Sequence, residues 1–109
     1  MLVLFDNGTP RTLARYLIDR HAVTEPRARG WQELDNGVLL NEAEAAGFDV
    51  LVTTGRNLSY QQNLAGRKIA VVVLGKGRWT LIQPHGAQVV AAVNAATPGS
   101  FAEVDIPFK

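Results

Sequence analysis

Three short apolar runs set the terms for this chain: LVLF at Leu2–Phe5, DVLVTT at Asp49–Thr54 and KIAVVVL at Lys68–Leu74. None shows the strict alternation of a strand with one wet face. Continuous runs of this length suit strands covered on both sides, the usual situation in a parallel sheet flanked by helices. The longest apolar stretch, Ile69–Leu74, falls far short of the roughly 20 residues needed to cross a bilayer, so no membrane span is expected. The three runs are expected to lie as parallel neighbours, with the Lys68–Leu74 strand, the most apolar, at the centre.

Helical signals separate the runs. After Asp6-Asn7-Gly8, a turn sequence, Thr9-Pro10 can start a helix: threonine caps free N–H groups and proline suits the first helical position. Leu13, Ala14, Leu17 and Ile18 recur at helical spacing among charged residues, which predicts a helix over about Pro10–Arg20. His21–Glu25 reads as a second short strand ended by Pro26, and Arg27–Leu34 is ambiguous. Asn36 can cap a helix through about Ala46, with Gly47 ending it in a left-handed conformation. Asn57–Asn63 suggests a short polar helix or turn. Gly75-Lys76-Gly77 breaks the Lys68–Leu74 strand, and Pro84–Ala96 reads as a helix closed by Pro98-Gly99. Phe101–Ile106 alternates like a half-buried edge strand. The regular exchange of strand and helix implies right-handed crossovers and a three-layer α/β/α domain with a mostly parallel sheet of four to five strands.

The chain has 109 residues, which suits one domain spanning 1–109. Hydrophobic residues at 47% against 19% charged favour a compact fold over a disordered segment. The absence of cysteine excludes disulfides and thiolate metal sites. The opening MLVLFDNG has no basic segment before its apolar run, so no signal peptide is expected, and the lack of cysteine fits a cytoplasmic location. A net charge of +1 gives no overall pull towards nucleic acid, so any such binding needs a local patch.

Open parallel sheets bind ligands beyond the carboxyl ends of their strands, where the strand order reverses. The residues there are Asp6, Thr53 to Gly55 and Gly75 to Gly77, joined by the helix start at Asp35-Asn36. No GxxxxGK[ST] loop is present, the lone GKG is too short for a dinucleotide fingerprint, and neither HExxH nor paired histidines argue for zinc.

With those positions in view, FDNGTPRTLARYL, LDNGVLLNEAEAAGFDVLVTTGRNLSYQQNLAGRKIAVVVL and the tryptophan of GRWTLI resemble the short PIN-like proteins classed as toxin components of toxin–antitoxin pairs. The resemblance runs over about Met1–Pro107, and the stretch around NLSYQQNLAGR is its most specific part. It implies a ribonuclease dependent on Mg²⁺ or Mn²⁺, with three or four carboxylates at the carboxyl edge. Hard divalent cations prefer such oxygen ligands, and they activate water for in-line attack on phosphate. It further implies RNA as substrate, a cognate antitoxin as partner and a homodimer as an option. Asp6 matches the first-strand aspartate. Asn36 stands where relatives carry Asp or Asn, Val38 where many carry Glu, Gly55 where the third-strand Asp is expected, and Asn57 where longer relatives have a second Asp. Asp35 adjoins the second position and is a candidate substitute. The resemblance therefore implies a catalytic set of Asp6, Asp35, Asn36, Gly55 and Asn57. Asp6 and Asp35 are its candidate metal ligands, and metal binding in this form should be weak or absent.

Simpler roles stand beside these. Asp6 can cap the helix after its turn, although the intact pattern around it favours an inherited metal site. Thr54, Arg56, Lys76 and Arg78 lie on carboxyl-edge loops and are candidate RNA contacts; solvated surface charge is the ordinary role of such cations. Tyr60, Gln61 and Gln62, like Trp31 and Trp79, read as packing residues before base platforms. His21 and His85 lack a partner at catalytic spacing, and Glu42 and Glu44 read as the wet face of a helix. A non-catalytic interaction module, binding a partner protein or nucleic acid, is the competing function. A receiver-like phosphorylation domain fails because Gly55 stands where its phospho-acceptor Asp is needed.

Overall fold

The computed structural model describes residues 1–6, 8–34, 36–54, 64, 66–74 and 79–104. Its strands are β1 (Leu2–Phe5), β2 (Ala22–Thr24), β3 (Val50–Thr53), β4 (Ala70–Val73) and β5 (Phe101–Glu103). They form one sheet in the order β2-β1-β3-β4-β5, and every pairing is parallel. The expected neighbours β1, β3 and β4 do pair, in a register that sets Leu4 beside Leu51 and Leu51 beside Val71. The middle strand is β3, however, and not β4. Both are fully buried, so apolar content alone does not rank them.

Side chains alternate across the sheet and build two cores. Val3, Phe5, Val50, Val52, Val72 and Leu74 face one side, where Leu13, Leu17, Ile82, Val89 and Val93 cover them. Leu4, Leu51, Val71 and Val73 face the other, under Leu39, Leu40, Ala43 and Phe48. This is the three-layer arrangement that the unbroken apolar runs require.

The layers also fix the hand of the crossovers. The β1-to-β2 connection and the β2-to-β3 connection travel in opposite directions along the sheet and use opposite faces, so they share one hand. The β4-to-β5 connection travels with the second but lies on the face of the first, which gives it the opposite hand. The crossovers therefore do not all share one hand, and the uniform right-handedness expected from the twist of strands and helices does not hold throughout. The β4-to-β5 crossover ends in an edge strand of only three residues, Phe101–Glu103.

The first helical segment is shorter and tighter than its pattern suggests. It is a 3₁₀ helix, η1, over Arg11–Tyr16, followed by turns to Arg20. Its N-cap position is Pro10, which has no side-chain acceptor, and the Thr9 hydroxyl is engaged elsewhere, so its start has no side-chain cap. Because η1 stops at Tyr16 and Leu17 and Ile18 lie in the turns beyond it, the apolar set does not share a single helical face. Leu13 and Leu17 are buried, whereas Ile18 is 62% exposed. A second 3₁₀ helix, η2, spans Pro26–Arg29 in the stretch whose pattern is ambiguous.

Helix α1 spans Asn36–Ala45 and ends as the sequence indicates. Gly47 has φ of 92°, and the N–H groups of Phe48 and Gly47 return to the carbonyls of Ala43 and Glu44. That pair of bonds is the Schellman arrangement, and the positive φ is what makes glycine the suitable residue. The predicted helix over Pro84–Ala96 starts earlier and is broken. Helix α2 covers Trp79–Ile82, a 3₁₀ turn covers Gln83–His85, and helix α3 covers Gly86–Asn94. Pro84 has no N–H to give to a continuous ladder, which accounts for the tighter turn between them. The Asn57–Asn63 turn and the Gly75-Lys76-Gly77 break lie outside the described residues.

Glu44 is no wet-face residue. Its carboxylate accepts the Lys68 backbone N–H at 2.7 Å and pairs with Arg67 Nη1 at 2.8 Å, while Arg67 Nη2 donates to Asn41 Oδ1 at 2.7 Å. This clamps α1 to the approach of β4. The Lys68 N–H and then the Arg67 guanidinium hold the Glu44 carboxyl below its ordinary value of 4.5, against the opposing effect of partial burial. A lowered folded-state value means stability that is complete above about pH 4.5 and fades as pH falls through the folded value. Glu44→Ala should cost about 1 kcal/mol at pH 7, a modest figure because the pair is partly solvated. Thermal melts of parent and variant should converge as the pH is taken well below 4.5.

Candidate functional site

In the order β2-β1-β3-β4-β5 the chain leaves β1 in one direction and β3 in the other. The crevice between the carboxyl ends of β1 and β3 is therefore the switch point, where α/β sheets of this kind bind ligands. Asp6 follows β1 there, and Thr53 and Thr54 end β3.

The backbone places Asp6 firmly: its N–H donates to the Val52 carbonyl at 3.0 Å, prolonging the ladder by one residue. Its side chain then gathers three donors. Oδ1 accepts the Gly8 N–H at 3.1 Å and the Thr9 hydroxyl at 2.7 Å, and Oδ2 accepts the Thr53 hydroxyl. The Thr9 oxygen also lies 3.0 Å from the Val52 carbonyl, so its single proton is shared between two acceptors. Thr9 and Thr53 are both buried. Thr54 is packed close over Gly8: a Cβ added at Gly8 would stand 2.6 Å from the Thr54 hydroxyl oxygen. The turn after β1 and the end of β3 are thus locked together through one carboxylate. Asp6 caps its own turn and not the following helix, which begins later, at Arg11.

Beside this carboxylate is a cavity of about 290 Å³ lined by Asp6, Thr9, Arg11, Glu25, Pro26 and Arg27. Arg11 Nε pairs with Glu25 Oε1 at 3.0 Å, and both side chains are substantially exposed. The cavity thus holds two carboxylates and two guanidinium groups. Arg11 is held by Glu25, which leaves Arg27 as the guanidinium that can meet a phosphate or another anion there.

The residue-level expectations divide three ways. Asp6 is where the sequence places it. Thr54 stands beside it, packed on Gly8. Asn36 is the first residue of α1, which runs from the carboxyl side of the sheet back to the start of β3. Val38 is on the same turn and is exposed. Asp35, Gly55, Arg56, Asn57, Lys76 and Arg78 lie outside the described residues, as do Tyr60, Gln61 and Gln62. The histidines pair with amides: His21 Nε2 is 2.6 Å from Asn94 Oδ1, and His85 Nδ1 is 2.7 Å from Gln88 Oε1.

Sequence reasoning left out Thr9, Arg11, Glu25 and Arg27 as site residues. The Asp6–Thr9 bond had a visible signal, an aspartate and a threonine three apart in a turn sequence. Glu25 and Arg27 had none, because only the pairing of β2 with β1 brings them to Asp6.

The divalent cation implied by the resemblance can be tested against these groups. Three of about four acceptor positions on the Asp6 carboxylate are already filled by protein donors. Among the described residues no three His, Cys, Asp or Glu side chains come together. The described groups offer a cation what is left of the Asp6 carboxylate and a Glu25 carboxylate already paired with Arg11, a sparse donor set for Mg²⁺ or Mn²⁺. Comparison of the chain with family models, with characterised proteins and with solved structures finds no match.

Proposed function

We propose that this chain is a PIN-like domain of toxin type that engages RNA at the carboxyl edge of its sheet, with an acidic site too depleted for efficient metal-dependent cleavage in this form. One observation carries the reading: an aspartate at the switch point, beside a cavity with two arginines, with most of its lone pairs committed to Thr9, Gly8 and Thr53. A nuclease of this kind needs several carboxylates to hold its cation. The resemblance assigns two of the positions to Val38 and Gly55, which are neutral. A cytoplasmic setting, a cognate antitoxin and self-association belong to the same proposal. Among the described residues, no helix is long and apolar enough to cross a membrane.

The hydrogen bonds on Asp6 also favour a second reading, a non-catalytic module that uses the same edge to bind a protein or nucleic acid. The two readings separate in one experiment. Mn²⁺ is titrated into the parent and into Gly55→Asp, and cleavage of a mixed-sequence RNA is followed in both. The parent is expected to bind Mn²⁺ weakly and to cut slowly or not at all, and Gly55→Asp, with Val38→Glu added if needed, to gain both. Tight binding and cutting by the parent, abolished by Asp6→Asn, would show that the site is intact. No gain from either restoration would leave the interaction module as the function.

A further inference from the structure

The face of η1 turned away from Asp6 carries a second cavity. Because 3₁₀ residues three apart eclipse one another, Thr12 and Arg15 form one ridge and Arg11 points elsewhere. Arg11 lines the cavity beside Asp6, whereas Thr12 and Arg15 line a cavity of about 320 Å³ completed by Tyr16, Trp79 and Gln83. Both segments that build it, η1 and α2, follow strand ends and so begin on the carboxyl side of the sheet.

The contents of this cavity are specific. Tyr16 and Trp79 stand with ring centroids 5.8 Å apart and planes tilted by 47°. The Tyr16 ring lies against Gly86, where an added Cβ would come within 3.1 Å of it, so the ring is held in place by the lack of a side chain there. Even so, Tyr16 remains 41% exposed. Gln83 brings an amide with both donor and acceptor, and Thr12 a hydroxyl. Arg15 is exposed and has no ion-pair partner among the described residues. Among the described residues, no carboxylate lines the cavity. Trp31 makes the contrast: Arg29 lies 4.8 Å over its ring and Phe48 meets it edge-on, so its faces are already used.

An aromatic pair with Tyr16 exposed and Trp79 half-buried, an amide at its side and an unopposed guanidinium form a combination that can hold one nucleotide of a single strand: a π-face for the base, an edge for its hydrogen bonds and a cation for its phosphate. We propose that Thr12, Arg15, Tyr16, Trp79 and Gln83 form a nucleotide subsite for single-stranded RNA, placed so that the strand crosses η1 towards the arginines beside Asp6. This rests on the reading that RNA is the ligand of the carboxyl edge, and it adds a subsite away from the acidic positions.

The test uses the full chain and a fluorescein-labelled, mixed-sequence single-stranded RNA, followed by anisotropy at low salt. A Trp31→Phe background leaves Trp79 as the sole tryptophan, so its emission reports stacking. Binding is expected to quench Trp79, and a duplex of the same sequence is expected not to. Arg15→Gln and Tyr16→Ala should each weaken binding by about tenfold, the scale of one lost base stack or phosphate contact. Tyr16→Phe, which keeps the ring, should bind like the parent, and matching melting curves confirm that the variants are folded. RNA binding with no quenching, and with affinity unchanged in Arg15→Gln and Tyr16→Ala, would overturn the subsite and leave the wider reading standing. A parent that binds no RNA would overturn both.

Discussion

Leu51→Ala is expected to destabilise the protein by about 3–5 kcal/mol, the upper part of the range for truncating a fully buried leucine. Leu51 lies on the middle strand with no exposed surface, between Leu4 and Val71 in register and under α1. Strands on both sides and a helix above leave the surroundings little room to collapse into the vacated space, so the cavity persists. With domains of this size stable by only about 5–15 kcal/mol, the loss is a large part of the total. Urea unfolding should show a lower midpoint at an unchanged slope. Ile18→Ala is the control, since Ile18 is 62% exposed; its effect should stay within about 0.5 kcal/mol. Equal effects at the two positions would contradict the two-sided burial of the sheet.

Asp6 is expected to give the second large effect, and here the choice of substitution matters more than the position. Asp6→Ala withdraws one acceptor group from the Gly8 N–H and from the hydroxyls of Thr9 and Thr53, and should cost about 2–4 kcal/mol. Asp6→Asn keeps the shape. Its carbonyl oxygen can take the Gly8 and Thr9 donors, and its NH₂ can face Thr53, whose hydroxyl can turn to accept. That variant should retain most of the stability while losing the negative charge. Melting temperatures of the two variants measure the structural role of the carboxylate, and Mn²⁺ and RNA affinities of Asp6→Asn measure what the charge alone does. A drop in stability for Asn as large as that for Ala would mean that the charge itself holds the turn to β3.

Much of the architecture was legible because burial writes itself into the sequence as periodicity. Runs without alternation meant two covered faces, and β1, β3 and β4 lie side by side as that requires. Gly47 marked the end of α1 because a backbone at φ of 92° excludes most other residues. Helix type was less legible. The spacing of Leu13, Leu17 and Ile18 fits an α-helix, but winding depends on which donors are capped: Pro10 has no side-chain acceptor, and Thr9 spends its hydroxyl on a residue before it and a carbonyl across the sheet. The hand of the last crossover was not legible at all, since the same apolar helix can lie on either face of a sheet that is apolar on both.

At the site, the chain by itself determined that Asp6 stands at a strand end, that Gly8 and Thr9 follow it in a turn, and that Val38 and Gly55 are neutral. Those facts are local, and local chemistry suffices to read them. Only the tertiary structure decided what Asp6 touches. Thr53 reaches it from 47 positions away because β1 and β3 are paired in register. Glu25 and Arg27 join its cavity because β2 lies on the other side of β1, and Tyr16 meets Trp79 because α2 and α3 return to the face that carries η1. Strand order and the choice of face arise from packing energies summed over the whole core, and no single stretch of the sequence carries them.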